Sequence, residues 1–260
     1  MGFNNLDKFL NVAIETARLA SVEVAKIYHS QNFTSYIKAD GKEPVTTADL
    51  LANKIICNYL SQYATLPILS EENQGNASRL KAEYIWLVDP LDGTKEFLSK
   101  NSDFSINIAL VVAGRPVIGV IAHPVENIIY YATKNKGAFL LKDNNKESLR
   151  MTTKQQLTNL TILVSRSHGH PALISQLNAL KTCKIIAQGS ALKYCAVASG
   201  KADATLRKIP LHEWDIAAAD CILHEAGGMM TTLNGELFNY NTSAKTLIES
   251  GVVASNKILH

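Results

Sequence analysis

The sequence predicts a layered protein of mixed α and β structure, built in two halves of different character. Three observations point there. Near the N-terminus, two long stretches carry apolar residues at the helical period. Between residues 84 and 141, short apolar runs follow one another with only turn residues between them, as in an antiparallel meander. Beyond a polar stretch at 142–159, strand-like and helix-like segments alternate, as in an α/β unit. The expected division is an α+β half over 1–150 with a large antiparallel sheet, and an α/β half over 151–260.

Each element has its own signal. Asn4–Ser30 has an amphipathic rhythm of Phe9, Leu10, Val12, Ala13, Ala17, Leu19, Ala20, Val24 and Ile27, interrupted by Asp7, Lys8, Glu15, Arg18 and Glu23, so a helix is expected over Asp7–Tyr28. A second helix is expected over Asp49–Tyr63. Leu66–Leu69 and Tyr84–Val88 read as strands, the latter stopped by Pro90, which cannot donate to a ladder. The meander is expected through Ile106–Val112, Val117–Ile121, Ile128–Ala132 and Ala138–Leu141. The polar boundary contains a short strand-like run, Leu149–Thr152. Beyond it come strands at Thr161–Val164, Lys184–Ala187, Ala204–Leu206, Gly228–Thr232 and Val252–Ala254. Helices are expected at Pro171–Leu180, Ser190–Ser199 and Trp214–Ala226, and Asn234-Gly235 is expected to close a hairpin.

Composition narrows the function. With 260 residues, 47% hydrophobic and 19% charged, the chain can bury a sizeable core. A net charge of +3 without a long Lys/Arg run argues against nucleic acid as partner and leaves small anionic ligands. The apolar stretch Ile106–Val125 is cut by Gly114-Arg115-Pro116 into a hairpin, so no transmembrane segment is expected. No secretory pattern opens the chain, and Leu6 stands where myristoylation requires Ser or Thr. Cys57, Cys183, Cys195 and Cys221 lie far apart without a Cys-x-x-Cys pair, which suits free thiols in a reducing cytoplasm.

The segment Asp89-Pro90-Leu91-Asp92-Gly93-Thr94-Lys95-Glu96-Phe97 carries the most chemistry. It follows a strand-like run, permits a tight turn at Gly93 and can begin a helix at Thr94. Two carboxylates therefore meet backbone N–H groups at one strand end. Carboxylates bind hard cations, and N–H groups at a helix start bind phosphate. An EF-hand loop fails on spacing, because Gly93 is fifth where the sixth position is required. The Asp-x-Asp signature of haloacid-dehalogenase-type phosphatases, whose first Asp is a covalent nucleophile and second an acid, is closer, but the extra residue between Asp89 and Asp92 would turn the second away from that role. A plain capped strand-to-helix turn is a further alternative. Further oxygen ligands stand at other element ends: Glu71 after Leu66–Leu69, Asp49 at a helix start, and Asp215 opening the Ala-rich helix. Singly, each also reads as an ordinary first-turn or loop acid.

Taken in order and spacing, Glu71, Asp89-Pro90-Leu91-Asp92-Gly93-Thr94 and Trp214-Asp215 resemble the three signatures of the lithium-sensitive, Mg²⁺-dependent inositol monophosphatase superfamily, over almost the whole chain. Lys95-Glu96-Phe97, Ser165-Arg166-Ser167-His168 and Gly189-Ser190-Ala191-Leu192-Lys193-Tyr194 resemble its 3'(2'),5'-bisphosphate nucleotidase branch. The resemblance implies a layered αβαβα sugar-phosphatase-like fold, occurring as a monomer or homodimer. It also implies hydrolysis of 3'-phosphoadenosine 5'-phosphate to AMP and phosphate; an inositol or other sugar monophosphatase is the alternative. It further implies that Glu71, Asp89 and the Leu91 carbonyl hold one Mg²⁺, and that Asp89, Asp92 and Asp215 hold a second. A third, weaker ion would lie near Glu71, reached by Asp49 through water. Gly93 and Thr94 N–H groups would hold the scissile phosphate, and the Thr94 hydroxyl, oriented by Asp49, would help deprotonate the attacking water. Ser165, Arg166, His168, Gly189, Ser190, Lys193 and Arg207 match positions lining the nucleotide pocket. His170 and His212 receive no role. Relatives often carry Thr at the position of Leu211 and Thr-Ala-Ala-Gly at Ile216–Ala219, departures that bear on substrate preference.

Overall fold

The first helical pattern folds as α1 (Leu6–Ser30), burying Phe9, Val12, Ala13, Ala17, Ala20 and Val24 on one stripe. It belongs to a computed structural model that describes residues 6–30, 32–38, 43–73, 75, 77–154, 158–179 and 183–256. A two-stranded arm of β1 (Ser35–Ile37) and β2 (Pro44–Thr46) leads into α2 (Thr47–Tyr63). The start of α2 is fixed by Thr46 and Asp49, each accepting a backbone N–H of the other's turn.

Among these residues a seven-stranded sheet follows chain order: β3 (Ile68–Ser70), β4 (Tyr84–Asp92), then, after the short α3 (Thr94–Leu98), β5 (Ser105–Val112), β6 (Arg115–His123), β7 (Ile128–Thr133), β8 (Ala138–Lys142) and β9 (Asn145–Ser148). Only β3 and β4 pair in parallel; the rest is the expected antiparallel meander. The C-terminal half contains β10 (Leu160–Ser165), α4 (Pro171–Ala179), β11 (Cys183–Gln188), α5 (Leu192–Ala198), β12 (Ala204–Arg207), β13 (Leu211–His212), α6 (Glu213–Glu225), β14 (Gly228–Thr231), β15 (Leu247–Ile248) and β16 (Val252–Asn256). Its five-stranded sheet has the order β11-β10-β12-β16-β14, with β10 parallel to both its neighbours and β16 antiparallel to both of its own.

Side-chain alternation along the strands builds the layers. In β4, Trp86 and Val88 join the core under α1 and α2, whereas Ile85 and Leu87 join the core shared with α5 and α6. In β10, Leu163 enters that shared core, whereas Leu160, Ile162 and Val164 pack against Leu173 and Leu177 of α4. Helices, sheet, helices, sheet and helix therefore stack as αβαβα, as expected. At Gly119 of β6 an added Cβ would lie 2.3 Å from the Ala218 carbonyl, so the glycine lets α6 sit directly on the sheet.

Several local expectations are corrected. Pro90 does not end its strand. The β4–β5 register shifts between Asp89 and Asp92, and this irregularity absorbs the proline's missing donor. Leu149–Thr152 is not a strand. Asp143 and Asn144, with φ of 48° and 65°, make a two-residue hairpin turn that sets β9 at Asn145–Ser148 instead. Asn234-Gly235 does turn, with Gly235 N–H donating to Thr232 O at 3.0 Å, but it closes a single bridge between Thr231 and Leu237. The ladder of β14 goes to β16. Expected helix Ser190–Ser199 begins at Leu192, and residue 180 lies outside the described residues. No described helix is long and apolar enough to cross a membrane. All four cysteines are free thiols.

Candidate active site

The irregular end of β4, the turn at Gly93, the segment after β3 and the first turn of α6 all reach one cavity of about 150 Å³. Glu71, Asp89, Leu91, Asp92, Gly93, Thr94 and Asp215 line it from these elements. Gly93 takes a φ of 97°, a conformation that lets β4 turn sharply into α3. From the C-terminal half, Ser165 and Arg207 at strand ends, with His168 and Ser190, complete the wall.

Asp49 and Thr94 meet across 45 positions of sequence. Thr94 Oγ1 donates to Asp49 Oδ1 at 2.9 Å, while Asp49 Oδ2 accepts from the Thr46 N–H at 2.8 Å and the Thr46 hydroxyl at 2.5 Å. Asp49 is 1% exposed, and burial raises its pKa against those hydrogen bonds. Asp92 Oδ2 accepts from the Ala191 N–H at 2.5 Å and from Asn107 at 3.3 Å. Leu91 N–H donates to Asp89 Oδ1 at 3.1 Å, and His212 N–H to Asp215 Oδ2 at 2.8 Å.

Burial and mutual repulsion make this an over-charged acidic cluster. Burial, then Glu71, Asp92 and Asp215, pushes Asp89 well above the carboxylate range. Burial carries Glu71 to about 8 against Lys38, with Asp215 adding to the rise. Asp215 is pushed up to about 7 by burial and then by Asp92, with Arg207 opposing. Asp92 is raised by burial and drawn back by Lys193 and Arg207. Crowded carboxylates with a carbonyl beside them are a hard-oxygen donor set, and divalent cations such as Mg²⁺, Mn²⁺ or Ca²⁺ relieve this repulsion. Among the described residues no three such side chains converge into a ready-made cage. Instead Lys38 Nζ donates to Glu71 at 2.5 Å and Glu72 at 2.7 Å. The donor chemistry fits a metal; an ion would have to draw the carboxylates together.

The opposite wall is basic and polar. His168 is pushed down to about 4 by burial and by Arg207 and Lys95, so it is neutral. Its Nε2 lies 2.8 Å from Lys95 Nζ. Arg207 donates to the Ile209 and Pro210 carbonyls, each at 3.2 Å. Ser190, with a φ of 48°, accepts from Lys193 Nζ at 2.7 Å through its carbonyl. Of the residues expected here, Ser165, His168, Ser190 and Arg207 line the cavity, whereas Arg166, Gly189 and Lys193 lie outside its lining. Lys193 is 2% exposed and pushed down to about 8, first by burial and then by Arg207. Arg166 pairs with Asp103 at 2.8 Å. Sequence reasoning missed Lys38, Lys95, Glu96 and His212 as site residues. Lys95 and Glu96 stood inside the most informative segment; His212, stacked on Trp214 at 4.5 Å, stood beside a signature residue. Lys38 had no sequence signal. Leu211 lines the cavity, whereas Ile216 and Ala219 are buried in the core, so only the first departure reaches the site.

With this geometry in hand, comparison with known proteins gives the class. The profile of the inositol monophosphatase family matches residues 5–260, and the chain belongs to that family. A 3'(2'),5'-bisphosphate nucleotidase CysQ of Buchnera aphidicola subsp. Acyrthosiphon pisum is 37% identical over 251 residues, covering 95% of this chain and 94% of the relative. The protein of that name from Escherichia coli (strain K12) is 33% identical over 236 residues, covering 89% and 93%. The crystal structure of CysQ from Bacteroides thetaiotaomicron superposes with a TM-score of 0.82 at 31% identity, covering 96% of this chain and 98% of that one.

Proposed function

We propose that this protein is a Mg²⁺-dependent 3'(2'),5'-bisphosphate nucleotidase that removes the 3'-phosphate of 3'-phosphoadenosine 5'-phosphate, giving AMP and phosphate. The observation that carries the reading is the two-faced cavity. Glu71, Asp89, Asp92 and Asp215 form one face, while Lys95 and Arg207 stand on the other, so a substrate with phosphate at both ends is suited. Relatives named for that activity, at 37% and 33% identity over most of the chain, support the same substrate.

Glu71, Asp89 and the Leu91 carbonyl would hold one Mg²⁺, and Asp89, Asp92 and Asp215 a second, with a third, weaker ion near Glu71 and Asp49. Bound ions of this kind lower the pKa of water and neutralise charge on the transferring phosphoryl group. The Gly93 and Thr94 N–H groups hold the scissile phosphate against α3. Thr94 Oγ1 accepts a proton from the attacking water and passes its own to Asp49 Oδ1, 2.9 Å away. Burial raises the affinity of Asp49 for that proton, and the Thr46 hydrogen bonds keep its carboxylate aimed. Ser165, His168, Ser190 and Arg207 contact the nucleotide and its second phosphate, with Arg166, Gly189 and Lys193 supporting them from behind.

Phosphate release measured with adenosine 3',5'-bisphosphate, inositol 1-phosphate and fructose 1,6-bisphosphate tests the assignment. Fastest turnover per KM on the adenosine bisphosphate is expected, with dependence on added Mg²⁺. A clear preference for inositol 1-phosphate would move the protein to the sugar-phosphatase side of its family.

A further inference from the structure

Three consecutive residues of the C-terminal half are each pinned to the segment that carries the phosphate turn. Arg166 donates to Asp103 Oδ2 from Nη2 at 2.8 Å and from Nε at 3.2 Å. Ser167 Oγ donates to Glu96 Oε1 at 2.5 Å, and His168 Nε2 meets Lys95 Nζ at 2.8 Å. The loop before α5 is fastened to the same two acids. Gly189 N–H donates to Asp103 Oδ2 at 3.2 Å, and a Cβ there would lie 2.7 Å from both Glu96 Cγ and the Asp103 carbonyl. Glu96 is 3% exposed and needs a reason to be buried, since an unpaired carboxylate under the surface is costly. Neither Glu96 nor Asp103 takes part in the proposed chemistry.

We infer that Glu96 and Asp103 are positioning residues that set the distance between the phosphate turn and the nucleotide wall, and so fix the preference for a substrate bearing a second phosphate. Thr94 is two residues from Glu96, so any slip of the Ser167–Glu96 contact moves His168 and Ser190 relative to the scissile phosphate. A substrate that touches both faces feels that slip in full. One held only at the scissile phosphate feels little of it. This rests on the nucleotidase reading.

The test compares kcat and KM on adenosine 3',5'-bisphosphate and adenosine 3'-monophosphate, with thermal midpoints alongside. Ser167→Ala and Glu96→Leu, each of which removes the hydrogen bond, are expected to raise KM for the bisphosphate by about 10- to 100-fold, the range for a hydrogen bond to a charged group. They should leave kcat, and both constants for the monophosphate, within a few-fold. Ser167→Thr, which keeps the hydroxyl, should restore the preference. Should Glu96→Leu fail to fold, Ser167→Ala carries the comparison, because Ser167 is itself exposed. Equal losses on both substrates, or a preference retained in both variants, overturn the positioning role alone. A wild-type enzyme without preference for the bisphosphate overturns the nucleotidase reading and this role with it.

Discussion

Thr94, proposed as the group that takes a proton from the attacking water, is set in place by residues remote in sequence. Its hydroxyl donates to Asp49, which is itself held by the cap of α2, so under the proposed mechanism the proton from the attacking water would be received at a helix start. Thr94→Ala is expected to slow the chemical step by roughly 10²–10⁴-fold, the usual effect of losing a positioned acid–base group. Binding should change much less, because the backbone N–H groups remain; single-turnover rates against KM separate the two. Asp92 ties the acidic face to the α5 loop through Ala191. Asp92→Asn should keep the fold but abolish Mg²⁺-dependent phosphate release, and wild-type turnover in that variant at limiting Mg²⁺ would contradict the ligand set.

The helix α6 carries Asp215 into the site, so its seating on the large sheet is a functional matter. Gly119 is a point of close approach between them, and Gly119→Ala must push the Ala218 carbonyl away. A loss of about 1–3 kcal/mol in urea unfolding is expected from that overpacking, with reduced metal affinity as Asp215 shifts. The same helix buries Asp220 against Arg115 at 3.0 Å and the Tyr240 hydroxyl at 3.1 Å. Burial pushes Asp220 up to about 6, with Arg115 and then Tyr240 opposing. Its native carboxyl thus holds a proton more tightly than the unfolded chain does. Unfolding releases that proton between about pH 4 and pH 6, so this group's contribution to stability falls as pH rises through the window. Asp220→Asn lacks the effect. Its stability relative to wild type is expected to improve from pH 4 to pH 6 by about 1–3 kcal/mol, read from denaturation curves.

The acidic face draws its carboxylates from two layers: Glu71, Asp89 and Asp92 from the seven-stranded sheet and its loops, Asp215 from the helix layer beneath it. A cation held by both layers binds the folded chain and not the unfolded one. Mg²⁺ at about 100 times its Kd is expected to stabilise the protein by about 2.7 kcal/mol, and EDTA to reverse the gain. Unchanged melting temperatures across a Mg²⁺ titration would count against a site shared between the layers. One hydrophobic core cluster also takes side chains from both sides of residue 150, including Leu87, Leu149, Leu163 and Ala254.

Much of this is legible in the sequence. Periodicity alone located α1, α2 and the meander, because an apolar stripe or alternation records which face is buried. The order of Glu71, the Asp89–Thr94 turn and Asp215 announced the acidic face, since these residues sit at element ends where local chemistry shows in the sequence. What stayed hidden depended on partners remote in the chain. The irregularity through Pro90 is set by pairing with β5, and the salt bridges of Lys38 by the placement of a two-stranded arm. The contacts of Asp103 and Glu96 with residues 166–189 are settled by how two sheets pack around α5 and α6. A local pattern encodes which surface a residue turns inward. Which other surface it meets there is a property of the assembled layers, because packing and charge pairing act between atoms that only folding brings within reach.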